Sequence, residues 1–378
     1  MTDVSTEEQE AIRVAARAFV REHAPVSHLR GLRDSADPLG FSLDLWEEMA
    51  RLGYAGMLLP ERWGGAALGL PELGIVAEEL GRNLVPTPLL SGVLGAGAVA
   101  LGGSDALRDE LLPAVCKGNR VISLALDEGV RFAPYAVNTR LERRGETLTV
   151  TGEKSFVLDG VAAGSFVVAA RTSGAPGDRD GLTLVHVRAD DPGVTTFALE
   201  LVDSRSVTRL RFDGVVVEEG DILGTRGVGA DVLDRVLDGG MAVLAAEMLG
   251  GAQECFDRTL AYLKTRTQFG VAIGSFQALK HRAATLFCEI ELTRSLVAEA
   301  LRAAEDGRAD APELVSAAKA RASDTYVLVT NEAVQMHGGI GVTDEADIGL
   351  YLKRARVSAE TLGCARHHRD RFARLRGY

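Results

Sequence analysis

The sequence predicts an α+β chain in which helical regions flank a strand-rich middle. Three observations carry this expectation. Apolar residues recur at helical spacing near the N-terminus, the pattern changes to short β-branched runs in the middle, and long apolar stripes of helical period return afterwards. The expected division is a helical N-terminal domain over 1–117, a β-domain over 118–225 and a C-terminal four-helix bundle over 226–378.

In the first region Ser5 and Glu8 read as an S-x-x-E capping box, followed by an apolar face of Ile12, Ala16, Phe19 and Val20 that Pro25 ends. A second helix is expected from Ser42 to Leu52, with Leu45, Met49 and Leu52 on one side. The glycines and prolines of LLPERWGGAALGLPE then interrupt regular structure, and helices resume at Pro71. GVLGAGAVALGG contains G-x-G-x-x-A, but it follows Pro-Thr-Pro rather than a strand, so small-residue helix packing is the expected use.

In the middle region VISLAL, LTVTG, SFVVAAR, LTLVHVR, VTTFALELV and VTRLRF read as strands, separated by turns such as SGAPGDRDG and ADDPG. Beyond it, Leu233, Leu237, Met241, Leu244 and Met248 form one helical stripe. A second helix spans Phe276 to Ala304. Asp310 is positioned to cap a third, with Pro312 in its first turn and Gly338-Gly339 past its end, and a last helix runs from Asp347 into the tail.

Composition narrows the function. A chain of 378 residues with 46% hydrophobic and 25% charged residues is globular, and no apolar run is long enough to span a bilayer. The acidic start MTDVSTEEQE lacks the order of a secretion signal, so a cytoplasmic location is expected. A net charge of -11 disfavours nucleic acid as a partner. Cys116, Cys255, Cys288 and Cys364 are widely spaced, without CxxC pairs or histidines at ligand spacing. Four reduced thiols, and no metal site, are therefore expected.

The stretch YLKTRTQFGVAIGSFQALKH, Tyr262 to His281, has the most chemical content. Lys264, Arg266 and Gln268 crowd a break between two apolar helices beside Gly270 and Gly274. An anion would fit there, and so would an ordinary solvated corner; the residues alone leave both open.

At these residues the sequence resembles the acyl-CoA dehydrogenase family. RTQFG followed by IGSFQ, from Arg266 to Gln277, is similar to the family's flavin-binding turn. Gln335-Met-His-Gly-Gly-Ile-Gly341 is similar to its second such turn, and MLLPERWGG at 57–65 to its N-terminal loop. The resemblance implies an acyl-CoA dehydrogenase-like fold, FAD as cofactor and an acyl-CoA substrate. It implies that Arg266 reaches the FAD pyrophosphate across a subunit interface, and that Phe269, Phe276 and Gln277 line the cofactor. Gln335, Gly338 and Gly339 would lie under its adenosine-diphosphate half. In the β-domain, DEGVRFAP at 127–134 and KSFVLDG at 154–160 stand for two flavin-contacting patterns; Phe156 replaces a stacking tryptophan, and Leu158 a hydroxyl residue.

The family's chemistry needs a glutamate against the substrate α-carbon. The position on the last helix is Leu362 here, and the alternative position on the first bundle helix is Gly240. Glu247, two turns after Gly240, is a candidate relocated base, with a structural arginine partner as the alternative; Glu360 and Glu128 are weaker candidates. Three functional expectations follow. The chain is one, non-catalytic, subunit of a heteromeric dehydrogenase of the α2β2 type acting on a bulky, steroid-like acyl-CoA. Alternatively it is an active homo-oligomer using Glu247, or a non-redox acyl-CoA-binding or assembly protein.

Overall fold

The computed structural model describes residues 6–378. Six helices come first: α1 (Glu7–His23), α2 (Val26–Asp34), α3 (Leu43–Arg51), α4 (Leu70–Arg82), α5 (Leu89–Gly102) and α6 (Asp105–Cys116). Ser5 of the expected capping box lies outside the described residues. Thr6 caps α1 instead, in a reciprocal box with Gln9. Helix α2 starts directly after Pro25 and was not expected, because proline only marks the end of α1 and is no barrier to a new first turn. Ser42 caps α3 as expected, but Leu52 falls just past the last turn and is 53% exposed, so only Leu45 and Met49 of the three face inward.

The strands follow: β1 (Val121–Ala125), β2 (Arg140–Arg144), β3 (Thr147–Leu158), β4 (Ala163–Arg171), β5 (Leu182–Arg188), β6 (Val194–Glu200), β7 (Ser206–Val217) and β8 (Ile222–Leu223). They form one sheet in the order β6-β7-β3-β2-β4-β5-β8, with β1 paired parallel to β4. Its core packs Leu141, Val150, Phe166, Val168, Val185, Leu210 and Phe212. The small-residue helix α5 packs closely against β1, since a Cβ on Gly95 would fall 2.1 Å from the Ile122 carbonyl oxygen.

Five helices, not four, complete the chain apart from a small hairpin: α7 (Ala230–Thr265), β9 (Thr267–Gln268), β10 (Val271–Ala272), α8 (Gln277–Glu305), α9 (Ala311–His337), α10 (Ile348–Glu360) and α11 (Ala365–Leu375). The expected last helix is broken at Leu362-Gly363, where both residues take positive φ, 54° and 100°. Asp310 does stand before α9, but Arg308 takes its carboxylate at 2.8 and 3.0 Å, and no side-chain cap forms. Cys116 and Cys255 are buried, Cys288 is exposed, and all four thiols are free.

The chain divides into two compact units. One comprises 1–30, 70–85 and 241–378; the other comprises 31–69 and 86–240 and holds the sheet. In the first, α4 and α7 meet backbone to backbone. A Cβ on Gly81 would lie 2.0 Å from the Glu247 carbonyl oxygen, and one on Gly250 1.8 Å from that of Glu78. Among the described residues no helix is long and apolar enough to cross a membrane.

Candidate functional site

The end of α7 builds the first part of the site. The Arg266 amide donates to the Tyr262 carbonyl at 2.9 Å, and the chain then reverses through the β9–β10 hairpin. Its two-residue loop, Phe269-Gly270, has φ of 52° and 81°, the two left-handed positions of a type I′ turn. Glycine is at ease there, whereas Phe269 holds a conformation that costs about 1 kcal/mol and still leaves its ring 90% exposed. Phe276 meets it edge-on at 6.1 Å. Gly274 has a different task, since a Cβ there would press to 2.9 Å from the Leu263 carbonyl oxygen. Buried Ile273 anchors the turn, while Lys264, Arg266, Gln268 and Gln277 point to solvent. Among the described residues the Arg266 guanidinium has no hydrogen-bond or ion-pair partner.

The end of α9 builds the second part. Gln335 is exposed on the last turn, and Gly338 caps the helix at φ 66°, ψ −141°, a region open to glycine alone. Gly339 is exposed beside it, and nothing lies within 4 Å of a Cβ placed on either glycine. Below them His337 is buried, which pushes its pKa below the usual histidine range. Its ring stacks on Tyr262 at 4.3 Å. Two turns separated by most of the bundle sequence thus end in exposed, mostly unengaged polar groups and glycines.

In the sheet-bearing unit, Phe156 sits where the β3–β7 register shifts between Lys154 and Val157. This bulge gives Phe156 a φ of 51° and turns its ring outward, 46% exposed. Leu158, two residues on, is half-buried. Beneath the bulge Lys154 is fully buried. Its ammonium donates to the Leu126 carbonyl at 3.0 Å and to Glu128 at 2.7 Å. Burial lowers the lysine to about 8, offset in part by Glu128. Glu128 also accepts from the amides of Asn138 and Thr139 at 2.6 and 2.9 Å, so its carboxylate is a clasp on that loop. Asp127 beside it is pushed up to about 6 by burial, and its Oδ1 has no hydrogen-bond partner among the described residues.

The candidate base positions are all occupied differently. Leu362 is 9% exposed, and its carbonyl accepts from His368 Nε2 at 3.0 Å. Lys319, buried in α9, donates to the carbonyls of Ser358, Ala359 and Gly363 at 3.1–3.3 Å and to the Ser323 hydroxyl at 3.1 Å. Burial pushes this lysine down to about 7. Four carbonyls around the break between α10 and α11 are therefore held by two buried side chains, and the sequence offered no sign of it: Lys319 in SAAKARAS reads as a solvated lysine. Gly240 is buried and has no side chain. Glu247 is half-buried and faces the Arg354 guanidinium, itself only 2% exposed, at 3.5 Å. Glu360 is exposed.

Comparison with known proteins agrees with this architecture. The acyl-CoA dehydrogenase N-terminal domain family matches residues 6–119 and the acyl-CoA dehydrogenase C-terminal domain family residues 227–375. Acyl-CoA dehydrogenase IpdE2 of Mycolicibacterium smegmatis is 34% identical over 97% of this chain and 98% of its own. Among solved structures, the Tcur3481-Tcur3483 steroid ACAD is 33% identical, with a TM-score of 0.86 over 98% of this chain and 97% of that one. An acyl-CoA dehydrogenase from Geobacillus kaustophilus is 26% identical, with a TM-score of 0.91 over the whole of both chains.

FAD fits the residues present at its diphosphate end. The unengaged Arg266 fork suits phosphate oxygens, and the open glycines at 338 and 339 leave room for a ligand close to the backbone. Phe156 offers a ring face to an isoalloxazine, although Leu158 has no hydroxyl to give it. Full-length matches at both ends, a shared fold and these turns lead to one conclusion: the chain belongs to the acyl-CoA dehydrogenase family, as an oxidoreductase with FAD as its cofactor.

Proposed function

We propose that this chain is the non-catalytic subunit of a heteromeric acyl-CoA dehydrogenase acting on a bulky, steroid-like acyl-CoA. The observation that carries the reading is the state of the base positions. Leu362 and Gly240 bear no carboxylate, and Glu247 faces a buried arginine. A base that must accept an α-proton needs a carboxylate free to meet it. FAD supplies the hydride acceptor for the β-hydrogen. This chain's part would be to bind and orient an FAD whose isoalloxazine lies in the partner: Arg266 and the Gln335, Gly338 and Gly339 turn would hold the diphosphate, and Phe269, Phe276 and Gln277 would line the cofactor. The α-proton is then taken by a glutamate of a homologous partner subunit. The kinship to a steroid ACAD carrying two names, Tcur3481 and Tcur3483, supports both the heteromer and the substrate class.

The test is to purify the chain alone and co-expressed with a homologous acyl-CoA dehydrogenase subunit, and to record flavin absorbance and dye reduction with a steroid side-chain acyl-CoA. The reading expects little flavin and no turnover alone, and both in the complex. A yellow chain that turns over alone and fails as Glu247→Gln would replace it with the homo-oligomer that uses Glu247.

A further inference from the structure

The two cofactor turns are joined by a contact between Tyr262, which precedes the first motif, and His337, which lies in the second. Tyr262 stands one turn before the end of α7, and its carbonyl receives the Arg266 amide at 2.9 Å, so the hairpin hangs from Tyr262. Its ring lies against that of His337 with centroids 4.3 Å apart and planes 21° from parallel, and its hydroxyl reaches toward the His337 carbonyl at 3.4 Å. His337 is the last residue of α9, and the next residue is the Gly338 cap. Its own ring is fixed because Nδ1 donates to the Ala333 carbonyl at 2.8 Å, one turn back. Neither end of the stack is therefore free to swing.

We propose that Tyr262 and His337 are a positioning pair that sets the Arg266 hairpin against the Gly338-Gly339 turn and so fixes the width of the FAD diphosphate grip. The proposal rests on the reading of those turns as the FAD diphosphate site. The physical reason is geometric. A guanidinium fork binds two phosphate oxygens only when it is held at a set distance from whatever grips the other side of the ligand. Arg266 is exposed and unengaged among the described residues, so its own contacts do not hold it. The stack is what ties the stem of its hairpin to the opposite turn. A neutral histidine suits this, because a charged ring would be costly at this burial.

The test has two arms. Amide hydrogen exchange is followed by mass spectrometry in Tyr262→Ala, Tyr262→Phe and His337→Ala, with strand 182–188 as the fold control. Tyr262→Ala is expected to speed exchange at 338–342, and His337→Ala at 267–272, each up to about tenfold as for loss of one aromatic pair, with Tyr262→Phe near wild type. FAD affinity is then measured by fluorescence quenching on whichever assembly retains FAD. Tyr262→Ala should weaken it about tenfold and Tyr262→Phe less than twofold. Exchange changes confined to the mutated side, or unchanged FAD affinity in both alanine variants, would overturn the pairing. An Arg266→Ala variant that binds FAD normally would overturn the diphosphate reading instead, and the exchange arm would still report on the pair.

Discussion

Two turns in the helical unit have opposite characters. The hairpin at Arg266 keeps its polar groups in the open, with Phe269 held exposed at a costly φ and Arg266 unengaged among the described residues. The turn at Leu362 has the reverse character. Its residue is apolar and buried, and its carbonyls are taken by Lys319 and His368. An exposed turn with an unengaged guanidinium is open to a ligand, whereas a buried turn whose carbonyls are hydrogen-bonded serves packing and stability. On the proposed reading, family membership and catalytic competence are separable: the Arg266 turn is the one offered to a phosphate, and the aligned base positions hold Leu362 and Gly240.

The comparison breaks most readily at Glu247. If that residue is structural, Glu247→Ala takes a carboxylate away from the buried Arg354 guanidinium and is expected to cost about 3 kcal/mol, read as a lower denaturant midpoint. Turnover lost with stability intact would instead make Glu247 the base. At the other turn, Arg266→Ala removes a charge-assisted fork and should weaken FAD about 100-fold, with Arg266→Lys recovering only part of it. A titration of FAD fluorescence measures both.

The Leu362 turn can be probed by pH. Lys319 has a folded value of about 7, below its ordinary 10.5, so between these values the unfolded chain carries the extra proton. Stability should therefore rise with pH across that window, by at most about 1.4 kcal/mol per unit, and Lys319→Met should flatten the slope. Urea melts at pH 7 and pH 9 compare the two. The smallest effect is at the hairpin tip. Phe269→Gly should relieve about 1 kcal/mol of backbone strain and raise the apoprotein's melting temperature slightly while weakening FAD. A variant that lost both would mean the ring packs in the apoprotein.

The sequence made most of the helices and six of the eight sheet strands legible, because apolar period is a local signal. Strand β2 was missed since Leu141 is buried between exposed Arg140 and Glu142 in a short, charged run, and its pairing partners lie mainly in β3. The break in the last helix was missed because only Gly363 marks it, while Leu362 gives no hint of a left-handed φ. The two turns proposed to hold the cofactor were legible as motifs, with Gly270 and Gly338 at positions of positive φ. What joins them was not: the Tyr262–His337 stack and the Lys319 clamp are contacts between residues remote in sequence, and no spacing rule encodes them.

The proposal that this chain grips FAD without supplying the base is tested by turnover of the assembled heteromer. The dye-reduction rate with a steroid side-chain acyl-CoA is compared for the complex carrying Glu247→Gln in this chain and for the complex with the partner's active-site glutamate replaced. Near wild-type turnover is expected in the first and loss in the second. Loss of turnover in the first, with FAD still bound and the assembly intact, would contradict it.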